Sequence, residues 1–433
     1  MFEQFFKLRE HKTTVFREIS AGIVTFMAMA YIIFVNPGIL TDAMGKQFFP
    51  ALTVATCLGA GIMTICMGVV TNYPLALASG MGLNAMLAYT VILGMKQSWQ
   101  VAMGVVVIEG IIITILVLTN IREWVMDAIP LDLKRAIGVG IGLFIALIGL
   151  KNANIVVANK DTMVAFGKIG ANNLIALFGI MVTGILMAKR VKGSILIGIV
   201  LSTLMALVTG QIKMVESFVT GIKPEYFQTF LAFNLKGAFS LSLGLAIFNF
   251  LIMDFFDTMG SVVAVGEEAG FIGKDGKIPR IKGVLLIDSL AAIFGGLCGC
   301  SSVTTYVESA AGVGEGGRTG LTSVVTGILF LLAMFFTPIV GMVPSYATAP
   351  ALIIVGYLML MGVKLIKWDE VTTAFPAFLT MTMIPFTYNI SNGIGYGFIS
   401  YVILKLFTGR AKDIHPLMYL VALLFAVYFI FPA

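Results

Sequence analysis

Apolar residues run in long blocks along the whole chain, broken by short polar or charged connections. The blocks fall at 20–41, 51–71, 74–93, 100–119, 133–150, 172–189, 192–209, 240–264, 280–298, 303–314, 318–342, 347–363, 373–387, 391–408 and 416–431. Most are about 17–22 residues long, enough for a helix to cross a hydrocarbon layer. The pattern predicts an all-α polytopic membrane protein. Some blocks are short, and 373–408 reads as one interrupted span or as two, so fourteen spans fit as well as fifteen. The longest polar connection, about 210–238, is itself rich in Phe and Val, which leaves no room for a separate soluble domain. No small-residue cleavage site follows the first block, so it reads as a retained helix rather than a leader.

Two blocks break the helical pattern. The stretch TNYPLALASGMGLNAML (71–87) begins as a Pro-containing extended run and turns helical only after Gly80 and Gly82. The stretch CGCSSVTTYVESAAGVGEGG (298–317) has a β-prone Val-Thr-Thr-Tyr-Val run followed by small residues. Non-helical backbone at membrane depth must be buried in protein or line a polar cavity, and a pair of such segments in the two halves of a chain points to a transporter's central site. The halves also match weakly: TFMAMAYIIFVNPG (25–38) lies on DFFDTMGSVVAVGE (254–267), and LKRAIGVGIGLFIALIGLK (133–151) on ATAPALIIVGYLMLMGVK (347–364). With an odd number of spans per repeat, such a duplication is inverted.

Composition agrees. Of 433 residues, 59% are hydrophobic and 12% charged, and the mean hydropathy is +1.00. With the N-terminus inside, Lys and Arg concentrate on the cytoplasmic side, at positions such as Arg17, Arg122, Lys134, Arg135, Lys189, Arg190, Lys192, Lys274 and Lys277. That bias is the positive-inside rule; it accounts for the net charge of +6 and leaves no argument for nucleic acid. Cys57, Cys66, Cys298 and Cys300 sit in or beside apolar blocks and read as reduced thiols. Cys298-Gly299-Cys300 lacks further ligands, since the two histidines, His11 and His415, lie near the chain ends. Neither a metal nor a cofactor is expected.

Acids inside the apolar blocks are the candidates for chemistry, because an ionisable group at bilayer depth is costly. They are Glu109, Asp254, Asp257, Asp288 and Glu308. Asp288 and Glu109 read as hydrogen-bonding partners between spans. Asp254 reads equally as a packing partner or a neighbour in a proton relay, and its i, i+3 spacing puts it on the face of Asp257. Asp257 and Glu308 lie in or beside broken or duplicated elements and are read as the functional pair. Directly after Glu308, GVGEGGRTG (312–320) imitates both G-x-G-x-x-G and a P-loop. It has Arg318 where a P-loop has Lys, and no βαβ context. Close helix packing and a turn near headgroups explain its glycines better than a nucleotide does.

The segments REISAGIVTFMAMAYIIFVNPGIL (18–40), GMGLNAMLAYTV (80–91), FFDTMGS (255–261), TTYVESAAGVGEGGRTGLTS (304–323) and FPAFLTMTMIPFTYNISNGIGYG (375–397) resemble the nucleobase/ascorbate transporter superfamily, and within it the azaguanine-type (AzgA-like) branch of adenine/guanine/hypoxanthine permeases. The resemblance implies a 7+7 inverted repeat of fourteen spans with uracil-transporter-like core and gate domains. Core parts would be 1–120 and 239–343, and gate parts 121–238 and 344–433, with a homodimer formed through the gate. Short strands in spans 3 and 10 would place the substrate between half-helices and span 8. By motif position it implies substrate contacts from Asp257, Glu308, Asn84, Gly82, Met86, Val307 and Ser309, with Glu308, Asp257 and Asp254 handling protons. The expected activity is proton-coupled uptake of purine nucleobases across the plasma membrane by an elevator-like movement. Alternatives are a same-fold carrier of another nucleobase or a small anion, a passive channel, or a membrane-embedded enzyme. The last lacks an H-E-x-x-H motif, an internal histidine and a nucleophile–base pair.

Overall fold

The computed structural model describes residues 2–119, 129–271 and 278–430; Arg122, Lys274 and Lys277, expected on the basic side, lie outside the described residues. The longer elements of the first half are α1 (Val15–Met29), α2 (Ile32–Met44), α3 (Phe49–Thr71), β1 (Leu77–Ser79), α4 (Met81–Ala85, continued as a π-helix over Met86–Gly94), α5 (Trp99–Leu118), α6 (Leu131–Asn152), a hairpin of β2 (Val156–Asn159) and β3 (Met163–Phe166), α7 (Ala171–Ala188) and α8 (Ser194–Val208). The second half has α9 (Leu241–Ala269), α10 (Ile281–Cys298), β4 (Val303–Thr305), α11 (Ser309–Gly314), α12 (Gly320–Ala333), α13 (Ser345–Leu360), α14 (Val371–Phe386), α15 (Ile390–Phe407) and α16 (Pro416–Ile430). Among the described residues, ten helical spans are long and apolar enough to cross a membrane, α1 and α2 together making one of them, and four further apolar helices are shorter.

Two sequence ambiguities are settled. The block 373–408 is two helices: α14 ends at Phe386, Tyr388 has a positive φ of 53°, and the Asn389 side chain accepts the Asn392 N–H at 3.2 Å to start α15. The block 303–314 is a three-residue strand followed by a six-residue helix.

β1 and β4 pair antiparallel in the interior, with Leu77 opposite Thr305, Ala78 opposite Thr304 and Ser79 opposite Val303. A two-stranded ribbon leaves both outer edges unpaired, and such groups are costly away from water. Helix side chains satisfy them. On the β1 edge the Thr64 hydroxyl accepts from Leu77 N–H at 2.8 Å and donates to Leu77 O at 3.0 Å. On the β4 edge Asp288 of α10 accepts the Thr305 N–H at 2.9 Å and the Thr305 hydroxyl at 2.8 Å. Beyond the strands, Ser309 accepts the Ala76 N–H at 2.9 Å, and Tyr306 donates to Ser79 O at 2.6 Å.

Helices pack closely around this ribbon. α3 and α12 run antiparallel, with Gly61 against the backbone of Gly327 and Gly68 against that of Gly320. Elsewhere α6 and α13 cross antiparallel, Gly142 meeting Gly356 and Met359, and Gly149 meeting Ala349; α7 packs on α13 and α14 on α6. Small residues permit this backbone-to-backbone approach in membrane bundles.

The glycine run 312–320 closes on the protein's own carboxylate. Glu18 of α1 is fully buried and stands at the N-terminus of α12. It accepts the backbone N–H groups of Arg318, Thr319 and Thr322 at 2.9, 3.2 and 3.3 Å, and the Thr319 and Thr322 hydroxyls at 2.8 and 2.6 Å. A helix N-terminus is a ready anion site; here the anion is intramolecular. Gly316 takes φ +104° beside the Arg17 side chain. Arg318 donates to Val313 O and Gly317 O at 2.7 and 2.8 Å and so caps α11.

At the end of α15 the buried Lys405 donates to Glu370 at 2.7 Å, and Arg410 also pairs with Glu370. The hydrogen bond from Lys405 comes first among the causes that hold the Glu370 carboxyl down at about 2. A depressed carboxylate pKa gives stability that is present above the unfolded value, about 4.3, and is lost as pH falls toward the folded one.

Glu18→Ala leaves several buried donors without an acceptor. It is expected to cost about 3 kcal/mol, read as a lower thermal midpoint of the detergent-solubilised protein, with Glu18→Gln intermediate. Glu370→Gln is expected to lower the midpoint at pH 6, with the difference from wild type shrinking between pH 4 and pH 2; an equal difference at both ends would show that the ion pairs do not contribute.

Candidate functional site

A cavity of about 650 Å³ lies between the start of α4, α6, α9 and the end of α13 with the turn after it, within the range of small-molecule sites; the second interrupted segment, 298–317, supplies none of its lining residues. Gly82, Leu83, Met253 and Asp257 line one part of it, and it extends to Lys134 and Arg135 at the start of α6. Asp257 is exposed to this space. Arg135 is held aside, donating to Asp132 at 3.3 Å and to Leu365 O, so the wall is mostly apolar with a carboxylate set in it.

Glu308 lies where the extended run gives way to α11, immediately before its first residue. It is half-buried, its Oε1 accepts the Tyr31 hydroxyl at 2.6 Å, and it is close enough to Asp257 for the two carboxyls to act on each other electrostatically. Glu308 is not part of the cavity lining, so the pair is joined across the edge of the cavity rather than sharing one wall. Val307 beside it is 48% exposed.

The other expected site residues divide. Gly82 lines the cavity, and a side chain there would meet Ile141 and Met253. Asn84 is buried one turn into α4; its Nδ2 donates to Ser79 O at 3.3 Å, while its Oδ1 has no hydrogen-bond partner among the described residues. Met86 is fully buried in the apolar core. Ser309 is committed to the ribbon, donating to Tyr306 O at 2.7 Å as well as accepting from Ala76. Asp254 is fully buried, whereas Asp257 opens to the cavity. Three residues advance a helix by about 300°, leaving the two directions about 60° apart, and here that offset separates the protein interior from the cavity. Shared-face spacing therefore did not give a shared environment.

Three residues join the site that the sequence did not single out. Tyr31 follows a break between α1 and α2 and is buried against Glu308; a lone Tyr in an apolar block carries no local signal of that. Thr258 and Thr304 contact each other at 2.9 Å, and both donate to Asp288. The opposite end of the α4 region is shut by packed rings. Tyr89 donates to Asp42 at 2.7 Å, and Tyr89, Phe144 and Tyr388 meet edge to face, with centroids 4.9–5.8 Å apart. Lys151 donates to the Tyr388 hydroxyl at 3.4 Å.

A permease family model (Xan_ur_permease) matches residues 16–395. Adenine permease AdeQ of Escherichia coli (strain K12) is 44% identical over 98% of this chain and 95% of its own length. Guanine/hypoxanthine permease PbuG of Bacillus subtilis (strain 168) is also 44% identical, over 99% of each chain. Among solved structures, the transmembrane domain of the cyanobacterial bicarbonate transporter BicA superposes with a TM-score of 0.64 at 14% identity, covering 88% of this chain and 96% of that one. At that identity the likeness concerns the fold alone. A multi-pass helical bundle with an internal strand pair, an acid-bearing cavity and full-length similarity to adenine and guanine/hypoxanthine permeases together make this chain a membrane transporter rather than an enzyme, and it belongs to the permease family.

Proposed function

We propose that the protein is a secondary active transporter that takes up purine nucleobases with protons. The observation that carries this reading is Asp257, an acid exposed in a mostly apolar cavity that has Lys134 and Arg135 at its far part. A carboxylate accepts two N–H groups side by side, and charge-assisted bonds are the stronger kind. A purine edge offers such groups, and apolar walls suit its flat faces. The relatives named for adenine and for guanine/hypoxanthine support the same cargo. Two carboxylates near the cargo disfavour a small anion, although BicA shares the fold.

In this reading Asp257, Gly82 and Val307 contact the base directly, and Glu308 and Asn84 complete its polar edge. Met86 and Ser309 act from behind, through packing and through the ribbon. Asp257 and Glu308, with Asp254 in reserve, pass the proton. One charge moving down a membrane potential releases about 2.3 kcal/mol per 100 mV, enough for about fifty-fold accumulation.

The architecture we infer is a 7+7 inverted repeat of fourteen spans; with 373–408 forming two helices, one of the four helices α13–α16 then stands outside the repeat. The antiparallel contact of α3 with α12 recurs between α5 and α10, where Gly110 lies against Ile293 and Gly296 against Val107. Spans 2 and 11 are thus mirrored by spans 4 and 9. The matched segments 133–151 and 347–364 likewise pack on each other as α6 and α13. Core parts 1–120 and 239–343 would move as an elevator against gate parts 121–238 and 344–433, and the gate parts would form a homodimer. The cavity beside Lys134 and Arg135 would face the cytoplasm, with the N-terminus inside a plasma membrane, and the Tyr89–Phe144–Tyr388 rings would form the outer seal.

Asp257→Ala and Glu308→Ala are each expected to cut hypoxanthine uptake by about a hundredfold or more, the loss of two charge-assisted bonds, with the protein still present in the membrane fraction. Tyr31→Phe is expected to cost about tenfold. Normal uptake by either acid variant would refute the site. Uptake of radiolabelled hypoxanthine is expected to rise as external pH falls, to collapse with a protonophore, and to be competed by adenine or guanine but not by uracil. Uptake indifferent to the proton gradient would remove the coupling.

A further inference from the structure

Glu109 takes no part in the cavity. It sits at the middle of α5, fully buried, and among the described residues neither carboxyl oxygen has a hydrogen-bond partner. An ionised carboxylate left in that condition costs several kcal/mol, and a neutral acid far less. α5 packs against α10, α9, the short helix Leu235–Ala238 and the π-helical end of α4. The charged and titratable residues on the described parts of these elements are Lys282, Asp288 and Cys298, then Asp254, Asp257 and Glu268, then Lys236, then Tyr89. Of these, Asp288 acts electrostatically on Glu109. The approach is enforced by packing, since neighbouring Gly110 lies against Ala292 and the backbone of Ile293, about one turn beyond Asp288.

Asp288 is provided for in the opposite way. It accepts from the hydroxyls of Thr258, Thr304 and Thr305 and from the Thr305 N–H. Among the described residues one carboxyl of the pair has four donors and the other has none. Two neighbouring buried acids cannot both ionise cheaply, and this asymmetry places the single proton on Glu109.

We propose that Glu109 is a proton-binding residue of the transport cycle, exchanging one proton with Asp288 behind the ribbon and apart from the cavity lined by Asp257. This rests on the proton-coupled reading above. On exchange the O–H bond at Glu109 breaks and one forms at Asp288, so the pair keeps one proton and one negative charge. Asp288 then has fewer free lone pairs, and its hold on Thr258, which follows Asp257 in α9, and on Thr305 of β4 loosens. A proton at Glu109 is thereby linked to the shape of the cavity through Thr258 and the ribbon.

The test uses full-length wild type, Glu109→Gln and Glu109→Asp in proteoliposomes with radiolabelled hypoxanthine. Glu109→Gln keeps the shape of the neutral acid but has no proton to give. It is expected to bind and counterflow hypoxanthine, to lose gradient-driven accumulation by about tenfold or more, and to show a flattened pH profile; Glu109→Asp is expected to retain part of both. Infrared spectra of the purified proteins should show a protonated-carboxyl band in wild type that is missing in Glu109→Gln and shifted in Glu109→Asp. Accumulation and pH profile unchanged in Glu109→Gln, or the same band in wild type and that variant, would overturn the inference. Failure of wild type to move hypoxanthine would instead remove the proposed cargo, and the infrared comparison would still decide whether Glu109 holds the proton.

Discussion

A backbone N–H or C=O without a partner cannot be tolerated in a hydrocarbon interior, and the β1–β4 ribbon places several of them there. The rest of the centre follows from satisfying them. Thr64 serves one edge and Asp288 the other, while Ser309 and Tyr306 close the ends. Once those side chains are committed, the helices carrying them have fixed depth and rotation. The cavity lies beside this assembly, between the start of α4, α6, α9 and the end of α13.

Hydrogen-bond donors also set the buried acids apart from one another. Asp288 is held by four donors and works as part of the backbone ladder. Glu18 is held by five and works as the anion at the head of α12. Asp257 is exposed to the cavity, and Glu308 has the Tyr31 hydroxyl. Carboxylates of the same chemical type thus divide by how many donors surround them, and only those left open to water can meet a cargo. The phosphate-loop look of residues 312–320 has the same cause. A glycine-rich turn into a helix presents N–H groups to an anion, and the chain supplies that anion from residue 18.

Close helix contacts give the bundle its rigidity. The glycines that let α3 meet α12, and α6 meet α13, bring backbones into contact. The ring cluster of Tyr89, Phe144 and Tyr388 is joined differently, by side-chain edges rather than by backbones in contact.

The sequence alone determined the class of molecule, the places where helices stop, and the acids at depth. Each depends on local chemistry: apolar block length, Pro and Gly, and the rarity of charge in lipid. The restart of helix after Gly80 and the strand before Glu308 are of this kind. Tertiary structure decided the rest. No local pattern signals that Tyr31 faces Glu308, that Glu18 fills the glycine turn, or that Asp254 and Asp257 part company within one turn. Those contacts join residues as many as three hundred positions apart, and whether a given side chain meets water, a donor or another helix is set by the neighbour that packing brings to it, which no local pattern encodes.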